Sequence, residues 1–180
     1  MNKAIFFDRD GVLNEAIIKE NRPYAPLKIS DVKIVNGIKE LIFELKNLNY
    51  LILAVTNQPD YSRGLVKKEN IEEINSYIIS ELNLDDLFCC FHDNNDDCEC
   101  RKPKPGAINY LKNKYNINLK ESFFIGDRAK DIEAAKAVSC PSIFVDYRYN
   151  EDKPVGQIAS TRNIGDILKI ILDFNKHEKK

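Results

Sequence analysis

Short apolar runs alternate along the chain with longer segments in which apolar residues recur every three or four positions. Ala4–Phe7, Tyr50–Val55, Leu87–Phe91, Ser122–Gly126 and Ser142–Val145 are runs of the first kind, and each hands over to polar, Gly, Pro or Asp residues. They predict five strands. Helical spacing predicts Gly37–Leu48 behind Asn36 as a cap, and Lys67–Leu82 with Ile71, Ile74, Ile78 and Leu82 on one face. Pro105–Tyr115, Ala129–Val138 and Ile164–Phe174 follow the same period. Strands separated by helices specify an α/β domain, a mainly parallel five-stranded sheet with helices on both faces. Residues 1–174 make one domain and 175–180 a loose charged tail, with no repeat and no long linker.

In an open parallel sheet a ligand sits beyond the carboxyl ends of the strands, so the chemistry is sought there. The first strand ends in Asp8-Arg9-Asp10-Gly11, the second in Thr56-Asn57-Gln58, and the fourth in Gly126-Asp127, with Asp131 one helical turn further on. Asp is common in turns and caps, and one Asp-x-Asp alone means little. Here three carboxylates, a hydroxyl and a carboxamide reach one sheet edge from three strands. Asp8, Asp10 and Asp127 offer oxygen ligands to one hard divalent cation, for which magnesium is the natural choice. A carboxylate beside such a cation and a phosphate can act as a nucleophile, provided that positive charge offsets the meeting of two anions. Lys102, in Arg101-Lys102-Pro103-Lys104-Pro105, is the best placed cation, at the start of a helix on the same edge.

A second cluster lies after the third strand. Cys90-Phe91-His92 is followed after five residues by Cys98-Glu99-Cys100. In extended backbone, residues two apart point the same way, so each pair can grip one ion. Three thiolates and an imidazole are the set for a closed, four-coordinate structural zinc. That zinc would brace the loop carrying Arg101 and Lys102. Cys89 and Cys140 are packing residues on this reading.

Composition narrows the partners. With 27 Lys+Arg against 28 Asp+Glu, the chain lacks the basic surface of a nucleic-acid binder. It has no apolar stretch long enough for a membrane helix and no signal-peptide pattern at its start. A cytoplasmic monomer acting on a small phosphorylated substrate is expected, with no nucleic acid and no membrane as partner. A phosphatase of nucleic-acid ends and a catalytically silent metal-bound scaffold are the competing classes. The first lacks a basic, aromatic stripe, and the second would require loss of Asp8 or Asp10.

The segments Asp8-Arg9-Asp10-Gly11-Val12-Leu13-Asn14, Thr56-Asn57-Gln58, Arg101-Lys102-Pro103 and Gly126-Asp127-Arg128-Ala129-Lys130-Asp131 together resemble the four motifs of the haloacid dehalogenase-like (HAD) phosphatase superfamily, subfamily IIIA. The resemblance implies a Rossmann-like HAD fold without a separate cap domain, since only one helix and short strands fit between Asp8 and Thr56. It implies Asp8 as nucleophile and Asp10 as general acid and then base. Magnesium would be held by Asp8, the backbone carbonyl of Asp10 and Asp127. Thr56, Asn57 and Lys102 would bind the phosphoryl group, and Asp131 would orient Lys102 or the metal shell.

The Cys and His pairs sharpen the resemblance to two groups within the superfamily, the heptose 1,7-bisphosphate phosphatases and the histidinol-phosphate phosphatases. The five-residue gap between His92 and Cys98 and Gly126-Asp127-Arg128 resemble the second. Tyr24, Ser62-Arg63-Gly64 and Pro103-x-Pro105-Gly106 resemble the first. Two arginines, Arg63 and Arg101, suit a second phosphate better than the ammonium of histidinol. The expected substrate is therefore a sugar bisphosphate, heptose 1,7-bisphosphate losing its C7 phosphate, with histidinol phosphate as the alternative.

Overall fold

The computed structural model describes residues 1–177. Its element order is β1 (Lys3–Phe7), a hairpin of β2 (Ile17–Lys19) and β3 (Arg22–Tyr24), α1 (Ile38–Asn47), β4 (Tyr50–Asn57), α2 (Lys68–Leu82) and β5 (Asp86–Cys90). There follow α3 (Gly106–Tyr115), β6 (Phe123–Gly126), α4 (Ala129–Ala137), β7 (Ser142–Val145), β8 (Ala159–Thr161) and α5 (Ile167–His177).

The continuous apolar runs are strands buried on both faces. In β1, Ile5 and Phe7 enter one core layer while Ala4 and Phe6 enter the other. β4 divides in the same way, Ile52 and Ala54 against Leu53 and Val55, as the two-residue strand period requires. The first layer is closed by α1, α2 and α5, through residues such as Leu41, Ile74, Ile78, Ile167 and Ile171. The second is closed by α3 and α4, through Ala107, Ile108, Leu111, Ala134 and Ala135. Small alanines on α4 let that helix lie close to the sheet.

The sheet has six strands in the order β5-β4-β1-β6-β7-β8, and every pairing is parallel. The chain moves outward from β1 to β4 and β5, then returns to β6 on the other side of β1. This reversal opens a crevice at the carboxyl ends of β1 and β6, where ligands bind in such folds. The backbone N–H of Asp8 donates to Ile125 O at 2.9 Å, which carries the β1–β6 pairing up to that edge.

Three expectations are corrected. The sixth strand, β8, is the three-residue edge segment Ala159-Ser160-Thr161, too short and polar to register as an apolar run. Asn36 does not cap α1, whose capping position is taken by Gly37 at φ 82°, without a side-chain cap bond. The last helix begins as a single tight turn at Ile164–Asp166, where Asn163 Oδ1 accepts from Gly165 N at 3.0 Å, and α5 runs on to His177. Residues 175–177 therefore belong to that helix, and the rest of the expected tail, 178–180, lies outside the described residues. Among the described residues no helix is long and apolar enough to cross a membrane.

Candidate active site

Asp8 leaves the end of β1, Asp127 the end of β6, and Asp131 sits in the first turn of α4. One oxygen from each lies within 4.8 Å of the others. Lys102 arrives from the β5–α3 loop, almost wholly buried, and its Nζ donates to Asp8 Oδ1 at 2.5 Å, Val55 O at 2.7 Å and contacts Asp131 Oδ1 at 2.8 Å. Burial by itself would favour a neutral lysine. The charges of Asp131 and Asp8 outweigh it and hold the ammonium well above its ordinary value. Asp131 is fixed in turn, its Oδ2 accepting from the backbone N–H of Arg128 at 3.0 Å at the start of α4. It therefore meets Lys102 directly.

Asp127 is the exception in this cluster. Tyr149 stands beside it, yet neither Asp127 oxygen has a hydrogen-bond partner at proper geometry. Burial first, then the charges of Asp8 and Asp131, push its carboxyl well above the ordinary carboxylate range. An unpaired buried carboxylate costs on the order of several kcal/mol. The arrangement fits a hard divalent cation between Asp8 and Asp127, which would supply the missing partner. The cradle is tight, because a Cβ on Gly11 would fall 1.9 Å from Asp127 Oδ2. Gly11 also has φ +103°, a conformation that L side chains rarely adopt. The oxygen cluster thus comprises Asp8, Asp127 and Asp131, and the Asp10 side chain is not part of it. The Asp10 carboxylate is held by Arg9, Asn14 and Gln58.

Thr56 and Asn57 end β4 at the same edge. Thr56 is buried, its hydroxyl accepting from Gln58 Nε2 at 2.9 Å. Asn57 spends both ends of its carboxamide on one residue, donating to Lys102 O at 2.9 Å and accepting from Lys102 N at 3.1 Å. Its side chain therefore places the lysine. Lys102 itself precedes α3 by several residues and is not at the helix start, which falls at Gly106.

In the second cluster, Cys100 Sγ lies 3.3 Å from Cys90 Sγ, 3.6 Å from Cys98 Sγ and 3.4 Å from His92 Nδ1. Cys90 Sγ lies 3.6 Å from His92 Nδ1 and 3.8 Å from Cys98 Sγ. Tetrahedral Zn–S bonds of about 2.3 Å put sulfurs roughly 3.7 Å apart, so the four groups fit a zinc ion. Burial pushes the Cys90 thiol up; burial also opposes ionisation of Cys98, but the Arg101 N–H and the neighbouring thiols bring Cys98 down.

An open cavity of about 790 Å³ rises from Asp8 and Asp10, with Thr56, Asn57, Arg63 and Arg101 in its walls. Both arginines are also tied to the cysteine loop. Arg63 forks onto Asp93 at 2.9 and 2.6 Å, while Arg101 donates to Asn94 Oδ1 at 2.9 Å and His92 O at 3.1 Å. The fork draws Asp93 down to about 2. Three further cations, Arg22, Arg128 and Lys130, line the cavity. Lys130 is lowered to about 8 by burial and by Arg128. Sequence reasoning does not single these out as wall residues. Arg128 and Lys130 stand inside the Gly126–Asp131 segment, where their charge was a usable signal, whereas Arg22 depends on a hairpin of three-residue strands.

The family model described as haloacid dehalogenase-like hydrolase matches residues 14–139. The D-glycero-beta-D-manno-heptose-1,7-bisphosphate 7-phosphatase of Helicobacter pylori (strain ATCC 700392 / 26695) is 36% identical over 139 residues, covering 74% of this chain and 77% of that protein. The D-glycero-alpha-D-manno-heptose-1,7-bisphosphate 7-phosphatase of Campylobacter jejuni is 33% identical over 182 residues, covering 98% and 97%. Among solved structures, D,D-heptose 1,7-bisphosphate phosphatase from B. bronchiseptica, complexed with magnesium and phosphate, shares the fold with a TM-score of 0.80 at 23% identity, over 95% of this chain and 98% of that one. With a parallel sheet reversing between β1 and β6, and carboxylates gathered at that reversal, the chain belongs to the haloacid dehalogenase-like hydrolase family.

Proposed function

We propose that the protein is a magnesium-dependent phosphomonoesterase that removes the C7 phosphate of D-glycero-D-manno-heptose 1,7-bisphosphate and leaves heptose 1-phosphate. Asp8 would attack phosphorus, forming an aspartyl-phosphate as the bond to the C7 oxygen breaks. Asp10 would protonate that departing oxygen, then take a proton from water as the water oxygen attacks phosphorus. The bond from phosphorus to Asp8 breaks, releasing inorganic phosphate and restoring the carboxylate. Thr56, Asn57 and Lys102 would cradle the phosphoryl group, Asn57 by placing Lys102. Asp131 keeps Lys102 charged and in place. Asp8, the Asp10 carbonyl and Asp127 would hold magnesium, whose positive charge supports the meeting of carboxylate and phosphate. Cys90, His92, Cys98 and Cys100 would hold a structural zinc that braces Arg101 and Lys102.

The observation that carries the substrate reading is the set of basic side chains in the cavity wall. Arg22, Arg63, Arg101, Arg128 and Lys130 line a space opening from Asp8, with Asp60, Glu151 and Asp152 between them. Arg63 and Arg128 are engaged by Asp93 and Glu151, which leaves Arg22 and Arg101 as the foremost partners for a second anionic group beside the one being cleaved. The names of the two bacterial relatives support the same substrate class. The test is magnesium-dependent phosphate release from both heptose 1,7-bisphosphate anomers, histidinol phosphate and hexose monophosphates, compared by kcat/KM. A heptose bisphosphate is expected to lead; preference for histidinol phosphate would overturn the substrate assignment and leave the phosphatase chemistry standing.

A further inference from the structure

Asp10 is gripped by four donors. Arg9 Nε reaches Oδ1 at 3.1 Å and Arg9 Nη2 reaches Oδ2 at 2.9 Å. Asn14 Nδ2 adds a bond to Oδ1 at 3.0 Å, and Gln58 Nε2 one to Oδ2 at 2.6 Å. Each oxygen accepts two of these bonds, which together fix the plane of the group, and one of them gives way when that oxygen carries the proton. The group still opens onto the cavity, its side chain 13% exposed. It is reachable from the substrate side but held against rotation from behind.

Arg9 has no exposed surface at all. A guanidinium so deeply placed is tolerated only where it is paired and hydrogen-bonded. Its third bond leaves the sheet edge: Nη1 donates to Asn75 Oδ1 at 2.6 Å. Asn75 lies on the inward face of α2 among Ile71, Ile74, Ile78 and Leu82, where an apolar residue would serve packing alone. The carboxamide also lies against the Cys89 thiol, which burial pushes up to about 11. Polar Asn75 therefore interrupts an apolar stripe at the point where it can receive Arg9.

We infer that Arg9 is a positioning residue for Asp10 and that Asn75 holds Arg9 in register, so that helix α2 sets the plane of the acid–base carboxylate. This rests on the acid–base role proposed above for Asp10. Planar guanidinium forks bind a carboxylate in one orientation, which a lysine ammonium does not reproduce. Proton transfer to a leaving oxygen is sensitive to such orientation.

The test compares Arg9→Lys and Asn75→Ala on two substrates, an alkyl phosphate turned over by the parent enzyme and p-nitrophenyl phosphate. The nitrophenolate leaves without a proton, so kcat/KM for that substrate bypasses the acid, whereas the alkyl phosphate depends on it. Both variants are expected to lose at least roughly tenfold more kcat/KM on the alkyl phosphate than on the aryl one, with KM little changed. Asn75→Ala keeps both Arg9 and Asp10 and removes only the anchor of Arg9, so it carries the comparison should Arg9→Lys fail to fold. Equal losses on both substrates, or none, would overturn the inference, since a purely structural role moves both alike. Asp10→Asn is measured alongside. If it matches the parent on the alkyl phosphate, the acid–base reading itself fails; if it alone shows the selective loss, only the positioning role does.

Discussion

Around Asp8, at the base of the cavity, Asp8, Lys102, Asp127 and Asp131 are at most 6% exposed and cluster from three separate segments of chain. At its mouth, the Arg63 side chain is 41% exposed and pairs with Asp93 from the cysteine loop, while Arg128 pairs with Glu151 from the loop after β7. On this floor Asp8 and Asp127 stand at strand ends of the parallel sheet, Asp131 in the first turn of α4, and Lys102 is brought to them by the β5–α3 loop. These charges sit in a low-dielectric interior where each strongly affects the next. The mouth stands on loops, and its ion pairs are partly solvated and contribute little apiece. Chemistry common to a family belongs on the first kind of support, and substrate choice on the second.

The sharpest way to break this contrast is at the floor. Asp8→Asn is expected to reduce turnover to background, on the order of 10⁴-fold or more, while circular dichroism and thermal unfolding stay near those of the parent. Substantial remaining phosphate release would remove the proposed nucleophile. The next effect concerns the link between mouth and floor. Cys98→Ala is expected to abolish zinc binding, measured by metal analysis, and to lower kcat about tenfold or more by loosening the loop that delivers Lys102. Full activity and an unchanged melting temperature would show that the floor stands without the metal.

A smaller effect is expected at the mouth itself. Arg63→Ala should raise KM for a sugar bisphosphate by about three- to tenfold, less than a buried charged hydrogen bond would give because Asp93 already shares the guanidinium. KM for a monophosphate should hardly move, and an equal change in both would place Arg63 outside substrate recognition.

The smallest expected effect is a pH dependence set by Asp127. Its carboxyl is raised in the folded state, so between the ordinary carboxylate value and the raised one the fold keeps a proton that the unfolded chain has lost. In the metal-free protein this contribution is complete below the unfolded value and is lost as pH rises through the folded one. A divalent cation needs the ionised form, so the magnesium-induced rise in melting temperature should be greater at pH 8 than at pH 5. An equal rise at both values would separate Asp127 from the metal site.

Sequence alone determined the layers of this protein. The apolar runs at Ala4–Phe7 and Tyr50–Val55 are legible because strands buried on both faces have no polar alternation to blur them. The stripe on Lys67–Leu82 is legible because a helix repeats every 3.6 residues. The candidate side chains were visible for a related reason, since Asp8, Asp127 and the Cys90–Cys100 pairs all stand at or just after strand ends, where this fold places ligands. Strand β8 escaped, because three residues at a sheet edge bury too little to leave a pattern.

Only the tertiary structure decided how those groups are shared out. Asn57 supports Lys102 through both ends of its carboxamide, Arg63 is forked by Asp93, and Asp131 joins the oxygen cluster that Asp10 leaves. Asn75 reads as one polar interruption of an apolar stripe until Arg9, 66 positions away, is seen to end on it. Periodicity reports which face of its own element a residue occupies, a local property of the backbone. A hydrogen bond depends on directions fixed to within a fraction of an ångström by two elements distant in sequence, and that relation exists only once the sheet has closed.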